Sequence, residues 1–122
     1  MKNIDRSVWI NYFNEFSRRN QSRPTRLEVF GELGAQEQEH GLLFEGIALE
    51  TDRNAFPSVD IMLGELDAVE RRHFTRVIAN VQQITPKRGL DGRDEALEII
   101  GGEGYRNLLR FEPEPGWTLR RN

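Results

Sequence analysis

The chain has no cysteine and, in 122 residues, no apolar run approaching the roughly 18 residues that a membrane-spanning helix needs. The first absence excludes disulfides, thiolate nucleophiles and thiolate metal sites. The second excludes a bilayer-crossing helix. Asp5, Arg6 and the asparagines around them also interrupt any apolar block of the kind a secretory signal carries, so a soluble, cytoplasmic protein is expected. Histidine is scarce, with only His40 and His73. His40 ends the run Glu37-Gln38-Glu39-His40, which offers carboxylate and imidazole, but zinc needs three or four protein ligands and no second cluster accompanies it. His73 follows Arg71 and Arg72, whose charges oppose a bound cation. No metal and no cofactor is expected. The four serines, Ser7, Ser17, Ser22 and Ser58, stand in no nucleophile-elbow pattern, and Gly101-Gly102-Glu103-Gly104 lacks the lysine of a phosphate-binding loop. No catalytic residue is assigned, and the reading leans away from an enzyme.

What is present is concentrated first at the N-terminus. Ile4, Val8, Trp9, Tyr12, Phe13 and Phe16 recur at helical spacing with Arg6, Asn11, Asn14, Glu15 and Arg18 between them. That spacing predicts an amphipathic helix over about 5–20 with an aromatic face, and such a face is core rather than a ligand box. Asp5 is placed to cap its start, and Arg18 and Arg19 suit the negative end of the helix dipole.

Pro24 closes the connector that follows, and strands come next. Leu27, Val29 and Leu33 alternate with Glu28, Phe30 and Glu32, which predicts a strand with an apolar inner face and an acidic outer one. Ala35 to Gly41 is polar and reads as a turn or exposed hairpin tip. Leu42 to Glu50 is apolar on both parities, as an interior strand is. Pro57 opens a third strand carrying Val59, Ile61 and Leu63. Between Gly64 and Ile84 two readings compete: a long helix, or a short turn near Leu66 to Glu70 followed by two strands broken at Ala79-Asn80. The β-branched and aromatic content of His73 to Ile78 and of Val81 to Thr85 favours the strands. Pro86 to Asp94 is read as a loop. Ala96 to Ile100 and Tyr105 to Phe111 then flank a glycine-rich turn, the clearest hairpin in the chain. The proline-containing tail, 112–122, cannot continue an interior strand, although Trp117 could fold back onto the core. The expected architecture is a single α+β domain over 1–122. In it the helix packs on a mostly antiparallel sheet of about six strands, spanning about 25–111.

The net charge of −3 hides a segregated pattern. Residues 1–26 carry six basic and two acidic side chains, residues 27–70 one basic and eleven acidic, and residues 71–122 ten basic and seven acidic. In one reading the acidic middle and basic flanks pair across exposed surfaces. In the other an acidic face, with Glu28, Glu32 and Glu45 as its members, attracts a basic partner. Arg18, Arg19, Arg23 and Arg26 are the candidate anion-binding group, to which Arg71, Arg72 and Arg76 could be joined in space, since guanidinium groups grip phosphate bidentately. A pI near 5.5 argues against nucleic acid as the ligand.

The order of features resembles a bacterial family known as domain of unknown function 5335. The resemblance rests on Trp9-x-x-x-Phe13-x-x-Phe16-Ser17-Arg18, the Arg26-Leu27-Glu28-Val29 strand, Gly46-Ile47 inside the second strand, His73 before a strand, and Ala96-Leu97-Glu98-Ile99 leading to Leu108-Leu109-Arg110-Phe111. It implies a bacterial origin and a one-domain boundary, and it transfers no activity. The expected role is a non-catalytic binding or accessory module acting through protein contacts or self-association. The alternatives are anion or nucleic-acid binding through Arg18 to Arg26, and a small enzyme whose site assembles only in space.

Overall fold

Asp5 caps a short 3-10 turn, Arg6–Val8, its carboxylate accepting the Ser7 N–H at 2.9 Å. The helix proper, α1, follows over Trp9–Arg19. In the computed structural model residues 3–31, 34–51, 57–65 and 72–112 are described. Seven antiparallel strands follow α1: β1 (Pro24–Gly31), β2 (Gly34–Glu50), β3 (Ser58–Gly64), β4 (His73–Ile78), β5 (Gln83–Arg88), β6 (Asp94–Ile100) and β7 (Arg106–Phe111). They form one sheet in the order β4-β3-β2-β1-β7-β6-β5, so two meanders, β1 to β4 and β5 to β7, meet where β7 pairs with β1. The expected helix on an antiparallel sheet is present, with one strand more than expected.

The sheet is rolled. Its edge strands, β4 and β5, are neighbours in sequence, and the four residues between them can span at most roughly 18 Å. A flat sheet of seven strands would hold those edges about 29 Å apart. Arg76 on β4 also reaches Asn107 on β7, four places along the sheet, at 3.0 Å. At the seam Val81 N–H bonds Pro57 O and Gly102 N–H bonds Ala79 O. The β5 edge is covered by the N-terminal segment, where Ile4 N–H donates to Ile84 O at 2.8 Å.

Inside the roll lie Leu27, Phe44, Ile61, Leu63, Ile84, Leu97, Ile99 and Leu109, each at most 1% exposed. The helix adds Trp9, Phe13 and Phe16. Phe16, Phe44 and Phe111 form a triangle of rings with centroids 5.5–5.7 Å apart, two of the three contacts edge-on. Val8 is the exception to the helix reading, being 45% exposed, because it precedes the first turn of α1 and does not share its buried face. Ser17 fastens helix to sheet by accepting Ile47 N–H at 3.0 Å and donating to Ile47 O at 3.2 Å.

Two segments differ from the sequence reading. Ala35 to Gly41, expected as a turn, is the first half of β2, and the hairpin reverses between Gly31 and Gly34. This half is mostly exposed, so alternation is not required of it, and the ladder to β1 holds it as strand. Pro86 to Asp94, expected as a loop, is strand at both ends: Pro86 pairs with Leu97 inside β5, and the loop is only Gly89 to Arg93. Proline is tolerated there because β5 is an edge strand, where the missing N–H takes no ladder bond away. The two-strand reading of His73 to Thr85 holds, with Asn80 at φ 52 in the break between β4 and β5. The expected turn at Leu66 to Glu70 and the fate of Trp117 lie outside the described residues.

Candidate functional site

The arginines singled out by sequence do not converge on an open site. Arg19 grips Asp94 with both ends of its fork, at 2.6 and 3.1 Å, and Asp94 is only 3% exposed at the side chain. Asn20 Nδ2 donates to the same carboxylate at 2.8 Å, and Arg23 donates to the Asp94 backbone carbonyl and to Asn20 Oδ1, its guanidinium lying over the Phe111 ring. Burial alone would raise the Asp94 carboxyl. The hydrogen bonds from Arg19 and Asn20, with the charges of Arg19 and Arg88, outweigh it and hold the group below the ordinary carboxylate range. This is a bolt between the end of α1 and the start of β6. Arg18 pairs with Glu15 on the exposed side of the helix, and Arg26 lies 3.2 Å from both Glu37 and Glu112.

The acidic residues are likewise paired. Glu28 accepts from Arg110 at 3.0 Å, and Glu45 stands 3.3 Å from His73 Nδ1. Glu32 lies outside the described residues. His40 is 3.8 Å from Glu37 and 3.6 Å from Glu112, half-exposed. Among the described residues no group of three metal-ligating side chains comes together. Tyr12 beside the bolt is pushed up to about 12 by burial and then by the Asp94 charge, so its phenol stays protonated at neutral pH.

A concave part of the described surface lies elsewhere, at the seam, beside Arg76. Phe74, Arg76 and Ile78 share the inner parity of β4, so Arg76 sits where the strand pattern calls for an apolar side chain. Its Nε donates to Asn107 Oδ1 at 3.0 Å, while Asn107, 1% exposed, is itself held by donating to Ile99 O at 3.3 Å. Asn107 is neutral, and among the described residues no carboxylate stands within ion-pair distance of Arg76. Of the five N–H donors of an arginine, one is used, and the two terminal amino groups find no acceptor among the described residues. Next to it opens a recess of about 290 Å³ running along Arg76 to Asn80, with Gly101, Gly102, Tyr105 and Asn107 opposite.

Local geometry keeps this recess in shape. A Cβ on Gly102 would come within 2.6 Å of Asn80 Cβ, so only glycine lets the β6–β7 turn lie against the β4–β5 link. The Tyr105 ring lies directly on Gly31, where any side chain would overlap it. Beyond Tyr105 the surface continues into a broader groove of about 510 Å³ that includes Phe30 and Arg106, and Glu103 borders both hollows. Arg106 is spent on Glu98, at 2.5 Å.

Arg71 lies outside the described residues, and Arg72 is paired with Glu39 and Glu65. Arg76, grouped by sequence with the other arginines, joins none of them. The signal that could have isolated it is its parity, an arginine between Phe74 and Ile78 on the buried side, matched by Asn107 on the parity of Leu109 and Phe111.

Among the described residues no helix is long and apolar enough to cross a membrane. Comparison with curated proteins and with solved structures gave no match. A family's sequence model does match, over residues 1–116, with the helix, the whole rolled sheet and the Arg76 recess inside the matched span. The chain therefore belongs to the family of unknown function DUF5335.

Proposed function

We propose that this protein is a non-catalytic binding module that holds an anionic group of its ligand on the Arg76 fork. The observation that carries the reading is the half-buried Arg76 guanidinium, fixed through Nε by a buried neutral amide, lining a recess and without an ion-pair partner among the described residues. A cation taken partly out of water and left without a carboxylate is costly, and a bound anion offsets that cost. Planar bidentate recognition suits a carboxylate or one face of a phosphate. The groups that could do proton chemistry are occupied otherwise: Asp94 in the helix bolt, His40 and His73 against surface carboxylates. A bacterial cytoplasm is the setting that suits a cysteine-free member of this family.

Thermal unfolding at fixed ionic strength tests the reading, with chloride replaced stepwise by acetate, benzoate, phosphate or sulfate. At least one oxyanion should stabilise the wild type in a saturable way, by roughly 2.7 kcal/mol when present at a hundred times its dissociation constant. Arg76→Gln keeps an amide donor for Asn107 and removes the fork, so it should abolish the shift. Equal shifts in the two proteins would overturn the assignment of the site.

A further inference from the structure

Resting on that reading, we infer that the anionic group is the C-terminal carboxylate of an extended polypeptide with an apolar last residue, docked along the β4 edge. Three observations point to a peptide rather than a small acid. First, the recess touches Arg76, Val77 and Ile78 at the end of β4 in succession and continues onto Ala79 and Asn80 of the link. Successive side chains of a strand point to opposite faces, so a hollow that meets consecutive residues runs along the strand's edge. Secondly, β4 is an edge of the sheet, and among the described residues no strand pairs with its outer side, whereas the β5 edge is covered by Ile4. The unpaired N–H and C=O groups of an edge are satisfied by another backbone, which a small acid lacks. Thirdly, Val77 and Tyr105, 58% and 41% exposed, are two of the five large apolar side chains left open on the described surface, and both line the same recess as Arg76. An apolar terminal side chain covers them while the carboxylate reaches the guanidinium.

Charge selects the same ligand. Glu103 borders the recess, and a dianionic phosphate would meet it where a single carboxylate need not. The acidic balance of the chain, −3, disfavours a nucleic-acid strand in the adjoining groove. That groove, reached past Tyr105, gives the upstream residues of a peptide room to leave the site.

The probe is a pool of fluorescein-labelled hexapeptides ending in Val, Leu, Ile or Phe, made as free acids and as C-terminal amides, with binding to the full chain read by anisotropy. The free acids should bind at least about tenfold more tightly than the amides, since losing a charge-assisted bidentate contact is worth a factor of that order. Val77→Gln, at an exposed position and without a second negative charge opposite Asp60, should weaken binding of the acids. Arg76→Lys, which keeps the charge without the fork, should weaken it by roughly tenfold with circular dichroism unchanged. Equal affinity for acids and amides, or undiminished binding by the Val77 variant, overturns the peptide inference. If acetate or benzoate still stabilises the protein through Arg76 in that case, the anion site stands and only its occupant is wrong. If no oxyanion acts through Arg76, both readings fall.

Discussion

Asp94 is the residue whose chemistry most exceeds its neighbours'. A carboxylate 3% exposed must be charged and fully bonded, or protonated, and here Arg19 and Asn20 hold it charged. Asp94→Asn keeps the shape and removes the charge. Its expected cost is about 2 kcal/mol at neutral pH in urea unfolding, less than for a wholly buried pair because the Arg19 side chain is 36% exposed and regains water. The pH dependence has a fixed sign. The folded-state pKa lies below the ordinary aspartate value, so the unfolded chain binds the proton first as pH falls. The stabilisation is therefore complete above the unfolded pKa and is lost as pH drops through the folded one. The gap between wild type and variant should close as urea titrations move from pH 6 to below pH 3. A gap that stayed constant across that range would mean that Asp94 acts through packing alone.

At the scale of the element, β2 is two strands in one. Among the described residues its first half pairs only with β1, while its second half pairs with β3, is tied to Ser17 at Ile47 and buries Phe44 and Ile47. Opening free energies follow burial and bonding. Amides of residues 35–40 should exchange at least about tenfold faster than those of 44–49 in native-state hydrogen exchange. Uniform protection along the strand would show that the first half has a second partner. The same division explains what sequence could and could not tell. Leu42 to Glu50, β3 and the β6–β7 hairpin carry apolar residues in patterns that burial requires, so they were legible. Ala35 to His40 carries no such pattern because its fold is dictated by Arg26 to Phe30 across the ladder. Pro86 hides a strand because proline's penalty vanishes at an edge, and only the strand order, which sequence does not display, makes β5 one. The Arg76 recess was less visible still. Its two members are 31 residues apart, on strands that sequence order does not make neighbours, and they meet only because the sheet rolls.

For the molecule as a whole, a rolled but unclosed sheet poses the problem of two edges at one seam. Exposed edges recruit other chains, and closure or cover is what prevents it. The β5 edge is covered by a few residues: Ile4 N–H on Ile84 O, Asn3 Oδ1 accepting from Thr85 Oγ1, and Ile4 O accepting from Trp9 Nε1 at 3.0 Å. The first two bonds close the edge, and the third ties that cover to the aromatic face of α1. Deletion of residues 1–4 leaves Asp5 as cap and α1 intact but uncovers β5 and strands the buried indole N–H of Trp9. Stability should fall by about 3 kcal/mol, the sum of one lost backbone bond, one unsatisfied indole and the partial burial of Ile4. The truncated protein should also form concentration-dependent dimers or larger species by size-exclusion chromatography with light scattering, because β5 then offers a free ladder. Restoring Ile4 alone by deleting only residues 1–3 should recover the wild-type elution, since Ile4 supplies both the bond to the edge and the acceptor for Trp9. If the shorter deletion associates as strongly as the longer one, the cover depends on Asn3 and Thr85 instead. If neither associates, the roll of the sheet by itself protects β5.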